Sequence, residues 1–580
     1  MSSQPQKPGR GYIPISTQYN EESSAESPLS ANTPLRADTY HVTPHDGTLI
    51  IHKDGHSYTY SYGPKGIPGL FHNSFALACA VFASLGGLTF GYDQGVIANV
   101  LVMPDFLQRW PITPLQKGLM TAMLELGALL GALTAGTFAD RISRRQSIII
   151  ACFVFCLGSS MQFGAQKLWH LILGRAVGGL GVGALSMLSP LYMAEISPPE
   201  VRGSLMALEQ FAIVLGAVLG FWTGFFSRSL PGSASWRTPL GIQIIPGIFL
   251  AFGSIFLPPS PRLLVAQGRY DEARNSLARL RRRNPSEAES DPLVQIELLE
   301  MRSEVLLMER AFGTTVKESG IRAEIRTWGR LFSKKYRDRT FIGVLMMFFQ
   351  QWSGINALLY YGPTLVQSIG LQGDKVTLMV SGGIGIVQFF AVLPAILYID
   401  RLGRKPLLRW GSAVMCFAHL AIAVLVRLYE DDWSAHVGAA WTAVGCVYLF
   451  TAAYGTSYGP IGWILPSEVF PISVRSKGVS LSTASNWFNN FLIGLVTPLM
   501  MEQSASVTFI TFSTACFLGY FWSTYRVPET GNVPLEEIDA VFSSSVGAED
   551  SELKDQIERE IGLHDLIADI GAESSLDEHE

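Results

Sequence analysis

Apolar runs of about 20 residues, the length of a membrane-spanning helix, recur from Phe71 to Tyr525 with short charged segments between them. No other feature limits the fold so strongly. In hydrocarbon each backbone N–H and C=O needs an internal partner, so each run is read as a helix. Only 16% of the 580 residues are charged, against about a quarter in a soluble domain. The expected spans are 72–98, 118–138, 147–164, 168–190, 204–226, 240–257, 341–368, 377–398, 406–427, 437–464, 479–501 and 506–526. The fold class is therefore an all-α membrane protein of twelve transmembrane helices in two six-helix halves.

Basic residues follow the even-numbered spans: Arg141, Arg144 and Arg145 after the second, Arg202 after the fourth, Arg401, Arg404 and Lys405 after the eighth, Arg475 and Lys477 after the tenth. The positive-inside rule places those loops and both termini in the cytoplasm. The resulting organisation is a disordered cytoplasmic tail over 1–70, rich in Ser, Pro, Thr and Gly, a first half over 71–257, a cytoplasmic helical linker over 258–340, a second half over 341–527 and an acidic cytoplasmic tail over 528–580. In the linker, residues 270–280 alternate apolar and charged residues at helical spacing. The following Arg281-Arg282-Arg283 reads as a solvated helix end or as a contact for anionic lipid.

The halves repeat. Asp140-Arg141-Ile142-Ser143-Arg144-Arg145 after the second span matches Asp400-Arg401-Leu402-Gly403-Arg404-Lys405 after the eighth. Glu195 precedes Pro198 and Arg202 by the offsets at which Glu468 precedes Pro471 and Arg475. Topology charges alone explain neither the acidic members nor the fixed spacing. Duplication of this kind marks an alternating-access carrier with its site between the halves. The expected gate ion pairs draw on Asp140, Arg141, Arg145, Glu195 and Arg202, and on Asp400, Arg401, Arg404, Glu468 and Arg475.

Ionisable residues within spans are few, and such residues are functional candidates. Asp93 and Arg175 form the expected pair. If the arginine came and went between conformations, the carboxylate would lose and gain a proton; a static pair is the structural alternative. Glu125 and Glu209 receive no role. The stretch Gln350–Tyr361 carries three carboxamides and two tyrosines with no net charge. Amides both donate and accept, so the stretch suits a neutral polyhydroxylated ligand, or else bonds neighbouring helices. Gly459-Pro460-Ile461-Gly462-Trp463 weakens the tenth span, as suits a helix lining a cavity. Gly174, Gly178, Gly179, Gly181 and Gly183 lack the order of a nucleotide loop and read as close helix packing.

In order and spacing, Gly91-Tyr92-Asp93, Asp140-Arg141 with Arg144-Arg145, Gly174-Arg175, Pro190 to Glu195 through Arg202-Gly203, Gln350-Gln351 through Asn356 and Tyr360-Tyr361, and Val527-Pro528-Glu529-Thr530 resemble the sugar porter family of the major facilitator superfamily, over about residues 70–540. Fungal proton-coupled monosaccharide transporters are the nearest in look. The resemblance implies the major facilitator fold and a sugar site of Gln210, Gln350, Gln351, Asn356, Trp463 and Asn490. It also implies that Asp93 carries the proton with Arg175 as its partner. Gln388 stands where animal glucose carriers have asparagine, which points to a pocket shaped for a different sugar. Pro259 replaces the glutamate of the family's Pro-Glu-Ser-Pro-Arg box, which puts one inner-gate pair in doubt.

The expected function is import of a monosaccharide, hexose or pentose, by proton symport. The alternatives are a carrier of a sugar acid, quinate, polyol or disaccharide, and a non-transporting sugar sensor. No nucleophile–base set or phosphate loop points to an enzyme. The six cysteines lie in apolar segments without metal-ligand spacing, so no metal or other cofactor is expected; the proton is the coupling ion. The expected partners are a small-molecule sugar and the lipid bilayer, with no nucleic acid. A monomer suffices, and the plasma membrane is the expected location.

Overall fold

The computed structural model describes residues 40–42, 47–51, 58–64, 67–312, 328–369, 374–470, 474–530 and 546–577. Among the described residues, ten helical stretches are long and apolar enough to cross a membrane. We number the twelve spans α1 (Ser74–Val100), α2 (Pro114–Arg141), α3 (Arg144–Phe163), α4 (Leu168–Ile196), α5 (Arg202–Ser227), α6 (Ala234–Ile242 and Ile244–Ser254), α7 (Arg337–Ser368), α8 (Asp374–Leu402), α9 (Arg404–Tyr429), α10 (Val437–Val469), α11 (Arg475–Gln503) and α12 (Ala505–Tyr525). The two outside the ten are α6, interrupted at the buried Gln243, and α11, whose length carries Ser, Thr and three Asn. Such polar content in a spanning helix is tolerated when it faces protein, and Asn486, Asn489 and Asn490 are all buried.

The first half is α1–α6 and the second α7–α12. Within the first, α4 packs against both α2 and α3. Its glycines make this possible: a Cβ on Gly179 or Gly183 would sit 2.1 or 2.0 Å from a carbonyl oxygen of α2, and one on Gly181 would meet α3. This is the small-residue packing expected of membrane helices. The halves meet where α2 packs on α11, α5 on α8 and α1 on α7.

The reading of 1–70 as a disordered tail is corrected at β1 (Tyr40–Val42), β2 (Thr48–Ile51) and β3 (Tyr58–Ser61), which form an antiparallel sheet in the order β1-β2-β3. Tyr58, Tyr60 and Tyr62 alternate at a period of two, which the polar composition around them obscures. Leu49, Tyr60 and Tyr62 pack on Leu293 and Ile296 of the linker helix Pro292–Phe312 and on Leu563, Ile567 and Ile570 of a helix over Leu563–Asp577. The Tyr58 and Tyr60 hydroxyls donate to the two oxygens of Glu300 at 2.6 and 2.7 Å. The acidic tail is helical too, over Val546–Glu560, and Arg310 of the linker pairs with Glu560. Both tails and the linker thus share one small core.

The linker holds the expected helix at Tyr270–Leu280. The arginine triplet after it corrects both earlier readings at Arg281. This side chain is buried, bonds Glu297 at 2.5 and 3.0 Å and donates at 2.8 Å to the Ile196 carbonyl. That carbonyl is one of the unsatisfied acceptors at the C-terminus of α4, where a cation is favourable.

Candidate functional site

The amide-rich stretch is not one continuous helix. α7 consists of Arg337–Trp352 and Ile355–Ser368, parted at Ser353 and Gly354. Gly354 has φ +98°, a conformation open to glycine at little cost, and a Cβ there would press on Phe512. The Ser353 carbonyl at the break accepts from His419 Nε2 at 2.9 Å, so the interruption leaves that polar group satisfied. α10 also breaks, at Ser457, just before the Gly-Pro pair expected to weaken it; a new helix begins at Tyr458. Pro460 falls in the first turn of that helix, where its missing N–H costs nothing.

The two breaks flank one cleft. Gln210, Gln350, Gln351, Asn356, Gln388 and Trp463 line it, as do Gln94, Tyr454 and Asn486. Six of the seven expected sugar residues are therefore together. The seventh, Asn490, is fully buried behind the wall, where its Oδ1 accepts from Asn356 Nδ2 at 2.9 Å. The adjacent glutamines differ. Gln350 Nε2 donates to the Tyr458 carbonyl at 2.9 Å, and its Oε1 accepts from Asn486 Nδ2 at 2.6 Å. It clamps the restarted half of α10, and Gly462 leaves it room: a Cβ there would lie 2.1 Å from Gln350 Nε2. Gln351 uses its Oε1, accepting from Asn356 Nδ2 at 2.5 Å. No charged side chain is among the lining residues described. Such a wall can bond hydroxyls in either sense while its apolar and aromatic members cover ring carbons.

Asp93 and Arg175 meet in the first half. Arg175 Nη1 donates to Asp93 Oδ1 at 2.9 Å, and both side chains are fully buried. The contact is single. Asp93 Oδ2 and Arg175 Nε and Nη2 have no hydrogen-bond partner among the described residues. The pair is held by one bond, and leaving three polar atoms unbonded is costly when buried. Glu209, in α5, likewise has no hydrogen-bond partner for its carboxylate oxygens among the described residues.

At the linker end, matched ion pairs occupy matched places. Arg144 grips Glu195 through Nε and Nη2 at 3.0–3.2 Å, and Arg404 Nη2 meets Glu468 at 2.7 Å. The expected partner Arg145 instead donates to the Ile255 carbonyl at 3.3 Å. The repeat itself held this correction: aligned on Asp140 and Asp400, Arg144 is the equivalent of Arg404, and Arg145 of Lys405. Arg475 Nε donates to the Phe470 carbonyl at 3.2 Å. Arg202 lies near Glu297 and Glu304 of the linker. The side chains of Asp140, Arg141, Asp400 and Arg401 lie outside the described residues.

The Pro259 departure has a visible counterpart. In the second half Glu529 accepts from the backbone N–H groups of Arg404 and Lys405 at 2.8 and 3.0 Å, which caps α9 with a carboxylate. Pro259 is at the equivalent place in the first half, and the N-cap of α3, Ser143, makes no side-chain cap.

The family model described as "Sugar (and other) transporter" matches residues 79–542. The low-affinity glucose transporter HXT1 of Saccharomyces cerevisiae is 32% identical over 486 residues, covering 81% of this chain and 82% of that one. Hexose transporter 2 of Kluyveromyces lactis is 30% identical, covering 86% of this chain and 88% of that one. Among solved structures, the proton:xylose symporter XylE bound to 6-bromo-6-deoxy-D-glucose superposes with a TM-score of 0.65 at 25% identity, covering 81% of this chain and 99% of that one. XylE from E. coli in a partially occluded inward open conformation gives the same TM-score at 23% identity, covering 80% and 100%.

Proposed function

The chain belongs to the sugar transporter family of the major facilitator superfamily, and from that premise we propose that it imports a monosaccharide by proton symport through alternating access. It is a multi-pass membrane carrier and not an enzyme. The observation that carries the reading is the uncharged, amide-lined cleft between the halves. A neutral sugar fits such a wall, whereas an acidic ligand would require a cation there.

In this reading Gln210, Gln351, Asn356 and Gln388 bond the sugar hydroxyls and Trp463 stacks on the ring. Gln350 ties the wall to α10, and Asn490 holds it from behind. Asp93 carries the proton: while bonded to Arg175 it stays ionised, and when α1 and α4 rearrange within the first half and Arg175 withdraws, it takes up a proton from the aqueous phase. The Arg144–Glu195 and Arg404–Glu468 pairs brace the cytoplasmic gate, both termini are cytoplasmic, and the carrier works in the plasma membrane.

The test is uptake of radiolabelled hexose and pentose in cells lacking their own sugar carriers, with and without a protonophore. Accumulation that collapses with the protonophore and with Asp93→Asn supports symport. Uptake indifferent to both refutes it. Transport of a sugar acid or polyol in place of these sugars replaces the substrate class.

A further inference from the structure

Glu125, the carboxylate of α2 left without a role, stands at the centre of a buried junction. Its Oε1 accepts from the Tyr360 hydroxyl at 2.7 Å and its Oε2 from Asn490 Nδ2 at 3.0 Å. Both donors belong to the other half, so one first-half carboxylate holds α7 and α11 together. The Tyr360 hydroxyl also receives from Gln94 Nε2 at 2.9 Å and lies 3.0 Å from Asn490 Oδ1. Asn490 Oδ1 in turn accepts from Asn356 Nδ2. Gln94 and Asn356 both line the cleft, and Gln94 directly follows Asp93. A continuous run of hydrogen bonds thus joins the ligand wall to a carboxylate.

The groups facing Glu125 are few. Asp93 of α1 and Arg175 of α4 act on it electrostatically but are bonded to each other. Tyr360 and Tyr361 come from α7, and the Tyr361 hydroxyl is committed to the Gly494 carbonyl at 2.5 Å. Lys117, two turns away on α2, donates to Thr364 at 3.0 Å. Among the described residues, then, no cation bonds Glu125 directly. A carboxylate held only by neutral donors within the membrane is costly, and such groups mark proton routes.

A phenol has one hydrogen to donate. With Glu125 ionised, that hydrogen goes to Oε1. When Glu125 takes a proton from hydronium, an O–H bond forms on Oε1, the hydronium O–H bond breaks to leave water, and the charge on the carboxyl passes from −1 to 0. The new donor turns to the Tyr360 oxygen, and Tyr360 redirects its own hydrogen to Asn490 Oδ1. Asn490 Oδ1 then accepts from both Tyr360 and Asn356, one on each lone pair, so the bonding of the cleft-facing Asn356 is reset by the charge on Glu125. We propose that Glu125 is a second proton-accepting carboxyl of the transport cycle and that the Tyr360 hydroxyl relays its charge state to the sugar-facing amides. This inference rests on the symport reading above.

The full chain in proteoliposomes, with radiolabelled glucose and a pH electrode, gives the test. Two quantities are followed: glucose-coupled proton uptake, and the half-saturation of glucose exchange across pH. In the wild type, half-saturation shifts with pH by about fivefold or more, as for a typical coupling between sites. Glu125→Gln mimics the neutral acid. It is expected to lose that pH shift and to lose glucose accumulation far more than exchange. Tyr360→Phe removes only the relay and is expected to flatten the pH profile of half-saturation as well. If Glu125→Gln keeps the wild-type accumulation and pH profile, the assignment falls while symport through Asp93 stands. If Glu125→Gln does not reach the membrane, Tyr360→Phe decides, and an unaltered pH profile overturns the relay. A wild type that takes up no protons with glucose overturns both this inference and the symport reading.

Discussion

Replacing Gln351 by alanine separates recognition from coupling. Among the described residues this side chain makes one hydrogen bond, from Asn356 Nδ2. Bonds of this kind between membrane helices average about 0.6 kcal/mol. Asn356 keeps its bond to Asn490 Oδ1, so the wall stays in place. The larger loss is to the ligand: an amide facing two neighbouring hydroxyls forfeits one or two hydrogen bonds at about 0.5–1.5 kcal/mol each. That loss, about 0.5–3 kcal/mol, corresponds to a rise of roughly two- to 150-fold in the half-saturation for uptake. Initial rates over a range of sugar concentrations measure it, with the accumulation ratio followed in parallel. Raised half-saturation with accumulation retained at saturating sugar is the expected result. An unchanged half-saturation, or lost accumulation at normal half-saturation, would refute the division between a sugar wall at Gln351 and a coupling pair at Asp93 and Arg175.

Three further outcomes follow from contacts elsewhere. Glu195→Ala removes the carboxylate that the buried Arg144 bonds through Nε and Nη2 and should cost about 3 kcal/mol, seen as a lowered unfolding temperature in detergent, whereas Arg145→Ala should change stability by less than about 0.5 kcal/mol. Gly462→Ala drives a methyl into Gln350 and should cost about 1–3 kcal/mol by overpacking, with transport falling together with thermal stability. Deleting the chain from Val546 onward removes Leu563, Ile567 and Ile570 from the shared core of the tails, at about 1.5–3 kcal/mol for each side chain. Hydrogen exchange in β2 and β3 should then accelerate sharply while exchange in α1–α12 stays as in the intact chain.

Much of the molecule was written in local sequence. Span length, the alternation of basic loops and the duplicated Asp-Arg and Glu…Arg segments depend on residues near each other along the chain, and they define twelve helices in two halves. The polar stretch from Gln350 to Tyr361 and the pair Asp93 and Arg175 were legible because a bilayer makes any polar side chain within a span conspicuous. Three-dimensional packing decided the rest. Gln350 and Gln351 are neighbours of one residue type, yet one clamps α10 and the other faces the cleft, because the break at Gly354 and the restart at Tyr458 set where each amide points. Asn490 stands behind the wall and Gln94 on it through the approach of α11 and α1 to α7, which no single helix encodes. The sheet of β1, β2 and β3 exists because helices more than 200 residues away cover its apolar face. Glu125 had no local meaning at all: Tyr360 and Asn490, 235 and 365 positions further along, make it a junction only once the halves close. Helix formation in lipid is settled by nearby backbone groups and local polarity, whereas a hydrogen-bonded site between halves is settled by which distant surfaces meet.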